Sequence, residues 1–140
     1  MQKNRFALSV IVLFFVALLW NGLLHMVLLA DINASIQHLR RPDIQDFMWL
    51  SMLMTLALVV LFVWGYSRFV RKGSLFEAMQ YGLFFALLAG LLVDLNQYLL
   101  YPLQVIVPLA WFAGGIIEFL LYALLLTRLY PVSTVNKSTS

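Results

Sequence analysis

The sequence predicts an all-α integral membrane protein, a bundle of four antiparallel transmembrane helices. Three observations predict it. Of the 140 residues, 64% are hydrophobic and 11% charged, with a mean hydropathy of +0.94; a water-soluble domain is roughly 45–50% apolar. The apolar residues fall into four runs, each close to the roughly 20 residues a helix needs to cross a bilayer. The stretches between the runs are too short for a soluble domain, which excludes a soluble enzyme, a dinucleotide-binding domain and a DNA-binding module.

The elements follow in order. The first span covers residues 6–30. Lys3 and Arg5 before it imitate the start of a signal peptide, but the run is far longer than the roughly 7–15 residues of a signal core, so an uncleaved anchor is expected. Residues 31–46 form the longest polar stretch, with Asp31, His38, Arg40, Arg41, Asp43 and Asp46, and read as a loop with an interfacial turn. Pro42 followed by Asp43 suits a helix start, where the carboxylate accepts orphan N–H groups. The second span runs over 47–67. Arg68, Arg71 and Lys72 follow it, and Gly73 marks a turn. Ser74 with Glu77 three residues later matches a capping box, which opens the third span at 75–100. Tyr101-Pro102 breaks that helix, and the fourth span occupies 105–127. The spans make one domain over 1–130, and the Ser/Thr-rich stretch 131–140 is an expected disordered polar tail.

Charge gives the orientation. Lys3, Arg5, Arg68, Arg71, Lys72, Arg128 and Lys137 fall on one side of such a bundle, and Arg40 and Arg41 on the other. The positive-inside rule then places both termini in the cytoplasm. The formal net charge of +3 thus reads as a topology signal, and nucleic acid is not an expected partner; the bilayer is. The absence of cysteine removes thiol redox chemistry, disulfides and cysteine-ligated metal. With His25 in a span and His38 in the loop, a two-histidine haem site does not form within one bundle, so neither cofactor nor metal is expected.

Two groups of residues stand out. Ala78, Gly82, Ala86, Gly90, Asp94 and Tyr98 recur every four positions along one face of the third span, and small residues there let a neighbouring backbone approach. Gly114 and Gly115 offer the same on the fourth span. The second group is polar. Asp94 lies roughly 9 Å inside the interface by helical rise, where an aspartate costs up to about 2.5–3.5 kcal/mol to insert. His25 and, one turn deeper, Asn21 are its candidate partners from the first span, while Gln97 and Tyr98 add donors and acceptors near its level. Glu118, on the fourth span, is expected about 13 Å deeper than Asp94 by backbone rise, too far to pair with it. Asn21, His25, Asp94, Gln97, Tyr98 and Glu118 are therefore the candidates for a ligand or proton site, and hydrogen-bonded glue between spans is the competing role. Asn33-Ala34-Ser35 and Asn136-Lys137-Ser138 match glycosylation acceptors.

No phosphate loop, HExxH motif or nucleophile elbow occurs, so no catalytic residue is assigned; a lipid-modifying enzyme with His25 or Asp94 as base is the remaining catalytic alternative. Abundant packing faces favour a non-enzymatic structural or interaction component, self-associating or attached to a larger membrane complex. A small-ligand or proton binding protein is the rival, and an aqueous cavity reaching Asp94 would distinguish it. The ordered set of His25, Arg40-Arg41-Pro42, Glu77 to Gly82, Tyr101-Pro102 and Trp111 to Glu118 resembles a family of small four-span bacterial inner-membrane proteins with no assigned activity. The resemblance implies a bacterial inner-membrane location and this architecture, and carries over no site.

Overall fold

The computed structural model describes residues 2–131; the expected polar tail beyond Pro131, with Lys137 and the second glycosylation pattern, lies outside the described residues. Four helical segments are long and apolar enough to cross a membrane: Lys3–Leu28, Ile44–Phe69, Leu75–Leu100 and Ile106–Leu129. Their helices are α1 (Gln2–Leu23), continued through a wider π-helical turn at Leu24–Leu28 into α2 (Ala30–Ser35); α3 (Met48–Phe69); α4 (Leu75–Ala89), continued through a second π turn at Gly90–Asp94 into α5 (Leu95–Leu100); and α6 (Ile106–Leu129). Short 3₁₀ turns at Gln37–Leu39 and Ile44–Phe47 fill the first connection.

The helix ends show local chemistry at work, not always as expected. Ser74 Oγ accepts from Glu77 N at 3.2 Å, half of the capping box. The other half is diverted: the Glu77 carboxylate accepts from Arg71 N at 3.0 Å and Lys72 N at 2.7 Å, closing the turn in which Gly73 takes φ 63°. Asp43 departs from its expected role. Its carboxylate makes no cap and instead takes both nitrogens of a bidentate Arg41 fork at 2.7 and 2.9 Å, because a guanidinium two residues away outcompetes neutral N–H groups.

Contacts between spans run in opposite sequence directions. Trp20 and Asn21 meet Gly114 and Glu118, while further along the first span Asn33 reaches back to Trp111. Phe62 meets Tyr81 and Phe85, and Gly82 lies against Phe119 and Ala123 whereas Gly90 lies against Phe112. One end of the bundle thus gathers Phe6, Val70, Ala78 and Tyr130 into a single cluster; we call it the terminal end. The other, carrying the connections 36–47 and 101–105, is the loop end.

Aromatic rings fill the terminal half. Phe62, fully buried, contacts Tyr81, Phe85, Phe119 and Tyr122 with ring centroids 5.0–5.7 Å apart. Lipid tails are as apolar as these rings, so dispersion and close approach hold the spans together, with no water to expel. Close approach comes from small residues. A Cβ on Gly82 would fall 2.7 Å from the Phe119 carbonyl oxygen, which shows α4 and α6 in backbone contact there. Tyr81 donates its hydroxyl to the Phe62 carbonyl at 2.8 Å, over the space that Gly65 leaves empty.

Candidate functional site

Towards the loop end the packing gives way to a cavity of about 520 Å³, lined from all four spans. Asn21, Leu24 and His25 come from the first, Thr55 and Leu58 from the second, Ala86 to Gln97 from the third, and Trp111, Gly115, Glu118 and Phe119 from the fourth. The two π-helical turns border it. His25 sits in the first and Asp94 ends the second, each on backbone wound wider than an α-helix; such turns are over-represented at functional sites. Gly90 begins the second turn, and the Phe112 ring occupies the place of its missing Cβ, 2.0 Å from where that atom would stand.

The two acids share this space, which corrects the depth separation expected from helical rise. The Asp94 Oδ2 atom lies 3.8 Å from the position of a Cβ on Gly115, one turn from Glu118. The reason is direction. Side chains lean towards the N-terminus of their own helix. Asp94 therefore leans towards the terminal end and Glu118, on a span running the other way, leans towards the loop end, so the carboxyl groups converge.

Their partners differ from those expected. Asn21 donates to Glu118 Oε1 at 2.9 Å, not to Asp94, and the Tyr122 hydroxyl donates to the same oxygen. Arg68 lies over the Trp64 ring, 5.9 Å from its centroid. His25 is also turned from Asp94: Asn33 Nδ2 donates to its Nδ1 at 3.3 Å and to its carbonyl at 2.9 Å. With Nδ1 accepting, the neutral ring carries its proton on Nε2. The Asp94 carboxylate has no hydrogen-bond partner among the described residues and faces the cavity. Gln97 lines the cavity; Tyr98 is not part of its lining and is 49% exposed on the bundle surface.

Of the small residues, Gly82, Gly90 and Gly114 are filled against Phe119, Phe112 and Leu24 of this same chain, and Ala78 and Ala86 are buried. Gly115 faces the cavity.

A second cavity of about 400 Å³ lies nearer the loop end, lined by Ile36, Arg40, Arg41, Ile44 and Tyr101 among others, and it shares Gln97 and Trp111 with the deeper one. Asn33 holds this boundary. It is 7% exposed, and its Oδ1 accepts from Trp111 Nε1 and Arg40 Nη2, both at 3.4 Å. Arg41 lies over the Phe47 ring at 4.0 Å while paired with Asp43, and that guanidinium holds the Asp43 carboxyl below the usual carboxylate range. Arg40 and Arg41 thus stand at the rim, and the deeper cavity has no lysine or arginine in its lining.

No family model, no curated protein and no solved structure matches this chain. The chemistry of the site is therefore that of its own side chains: two carboxylates, an imidazole, two carboxamides and a hydroxyl, walled by Leu24, Leu58, Val93, Phe119 and Trp111. No group of three or more His, Cys, Asp or Glu suited to hold a metal occurs among the described residues.

Asn33 and Trp111 are the residues that sequence reading missed. Asn33 read as a glycosylation acceptor, yet its amide is buried and committed. Its signal was periodicity: Asn21, His25 and Asn33 lie on four-residue steps, continuing the polar face of the first span beyond residue 30.

Proposed function

We propose that this multi-pass membrane protein binds a small ligand or a proton in its intramembrane cavity. The observation that carries the reading is the cavity itself: about 520 Å³, within the rough 300–1,000 Å³ range of small-molecule sites, with His25, Asp94 and Glu118 facing it. Polar glue between spans would close such a space around its donors and acceptors. Asp94 instead keeps a carboxylate unpaired among the described residues beside a void, at a depth where ionisable groups mark function by default. Gly82, Gly90 and Gly114 pack within the chain, so these positions do not by themselves call for a partner.

The basic residues of the described chain favour an antiparallel bundle with both termini cytoplasmic: Lys3, Arg5, Arg68, Arg71, Lys72 and Arg128 gather at the terminal end, against Arg40 and Arg41 at the loop end. The resemblance to four-span bacterial proteins supports the inner membrane as the setting. The cavity then lies in the outward-facing half.

The absence of native cysteine makes the test direct. Single cysteines replace Thr55 and Ala89 in the cavity wall, with Ala17→Cys, fully buried, as the control. An aqueous thiosulfonate reagent needs water to form the reactive thiolate. In sealed membranes it should modify the two wall positions and spare Ala17→Cys. Wall positions as inert as the control would show a dry cavity and end the proposal. Lys72→Cys and Gln37→Cys, labelled from either side, report the orientation in the same experiment.

A further inference from the structure

The cavity has a mouth as well as a floor. Spans two and three meet near the terminal end through Phe62, Tyr81 and Phe85. Towards the loop end they part, and no comparable packing joins α3 to the Gly90–Asp94 turn. Leu58 and Val93 border this gap. Both line the cavity, yet they are 38% and 55% exposed on the bundle surface, where the surroundings of a span are lipid. On this side the cavity is bordered by exposed apolar residues, and elsewhere it adjoins the rim at Trp111 and Gln97.

Three properties define what would fill it. Its mouth and much of its wall are apolar, and the Trp111 ring is part of that wall. Its lining carries acids and no lysine or arginine: Asp94 and Glu118 face the space, while the rim arginines are engaged outside it, Arg41 with Asp43 and Arg40 with the Asn33 carboxamide. Its carboxylates keep acceptor capacity free: Asp94 has no donor and Glu118 receives its two donors on Oε1 alone, among the described residues. A metal ion is poorly matched: no group of three or more His, Cys, Asp or Glu suited to hold one occurs among the described residues, and His25 Nδ1 is tied to Asn33. An anion or a carboxylate-bearing ligand would meet like charge.

Resting on the reading of this cavity as a binding site, we infer that its ligand is a lipophilic organic cation. Such a ligand is a monovalent amine with an aromatic or aliphatic body, which reaches Asp94 from the bilayer between spans two and three. The ammonium group donates to the Asp94 carboxylate, a charge-assisted bond strengthened by the apolar surroundings. The body lies against Trp111, where a cation near an aromatic face gains further attraction.

The test uses the full chain in lipid nanodiscs, titrated with phenethylamine, its neutral isostere 2-phenylethanol and the anionic 3-phenylpropionate. Thermal unfolding is the readout, since a ligand that binds the folded state alone stabilises it by mass action. Phenethylamine should raise the midpoint saturably, and the other two should not. Asp94→Asn should weaken the amine roughly tenfold or more, the loss of a charge-assisted partner. Ala89→Phe, which places a ring in the cavity and leaves both acids in the sequence, should abolish the effect and covers the case in which Asp94→Asn fails to fold.

Equal stabilisation by the alcohol or the carboxylate overturns the cation assignment while leaving a binding cavity. An amine effect that survives both Asp94→Asn and Ala89→Phe overturns the site. No response to any of the three, with Thr55→Cys and Ala89→Cys still labelled from water, overturns the inference and leaves the wet cavity of the proposed function standing. No response with both cysteines inert overturns the two together.

Discussion

The two halves of this bundle solve the same problem, holding four apolar helices together in lipid, by opposite means. The terminal half is filled: rings pack on Phe62, Gly82 brings two backbones into contact, and Tyr81 caps a carbonyl of a neighbouring helix. The loop half is held at its perimeter by polar side chains around an open centre, Asn21 to Glu118 at one level and Asn33 to His25, Arg40 and Trp111 at another. The difference teaches where stability and function are separated. Close packing is the main source of cohesion in a bilayer, so the half that forgoes it gives up stability in return for room. That trade is the usual mark of a site.

The sharpest way to break the comparison is one substitution made in both halves. Gly82→Ala should cost about 1–3 kcal/mol, as overpacking does, because the new methyl meets the Phe119 carbonyl oxygen, which belongs to backbone and cannot swing aside. Gly115→Ala should change stability by no more than about 0.5 kcal/mol, since its methyl meets Asp94 Oδ2 at an ordinary 3.8 Å. Unfolding in mixed micelles with rising denaturing detergent measures both. Equal losses would mean the loop half is as tightly filled as the terminal half, and the cavity would lose its meaning.

Between those extremes stands Asn33. Asn33→Ala should cost about 1–2 kcal/mol, through polar partners left unpaired at a buried position. It should also change the near-ultraviolet dichroism of Trp111, released from Oδ1. Unaltered Trp111 signals would show that the boundary between the two cavities is held by packing alone.

How much of this was legible depends on the kind of information each part needs. The spans were legible because hydrophobic length is local: the expected 6–30, 47–67, 75–100 and 105–127 overlap the four apolar helices closely. The turn at Gly73 was legible for the same reason. Asp94 and Glu118 could be singled out as costly residues, yet not as neighbours, because backbone rise ignores the lean of side chains on opposed helices. The π turns at Leu24–Leu28 and Gly90–Asp94 were illegible, since they depend on tertiary packing: Phe112 occupies the space at Gly90, a contact 22 positions away along the chain. Asn33 was masked by a short surface motif that fits the sequence and not the fold.

The smallest expected effect concerns the pair that looks strongest on distance alone. Arg41 and Asp43 form a bidentate fork, but both side chains are largely exposed, so solvent and salt screen the attraction. Arg41 lowers the folded-state value of the Asp43 carboxyl below its unfolded one. The pair's contribution is therefore present above the ordinary aspartate range and is lost as pH falls through the lowered folded value. Asp43→Asn should leave the unfolding midpoint almost unchanged at neutral pH in physiological salt, with a slight loss appearing at low ionic strength and disappearing in acid. Arg41 would still be held over the Phe47 ring, which limits the loss further. A loss as large as that of Asn33→Ala would reverse the order argued here, making the exposed fork, and not the buried carboxamide, the fastening of the loop end.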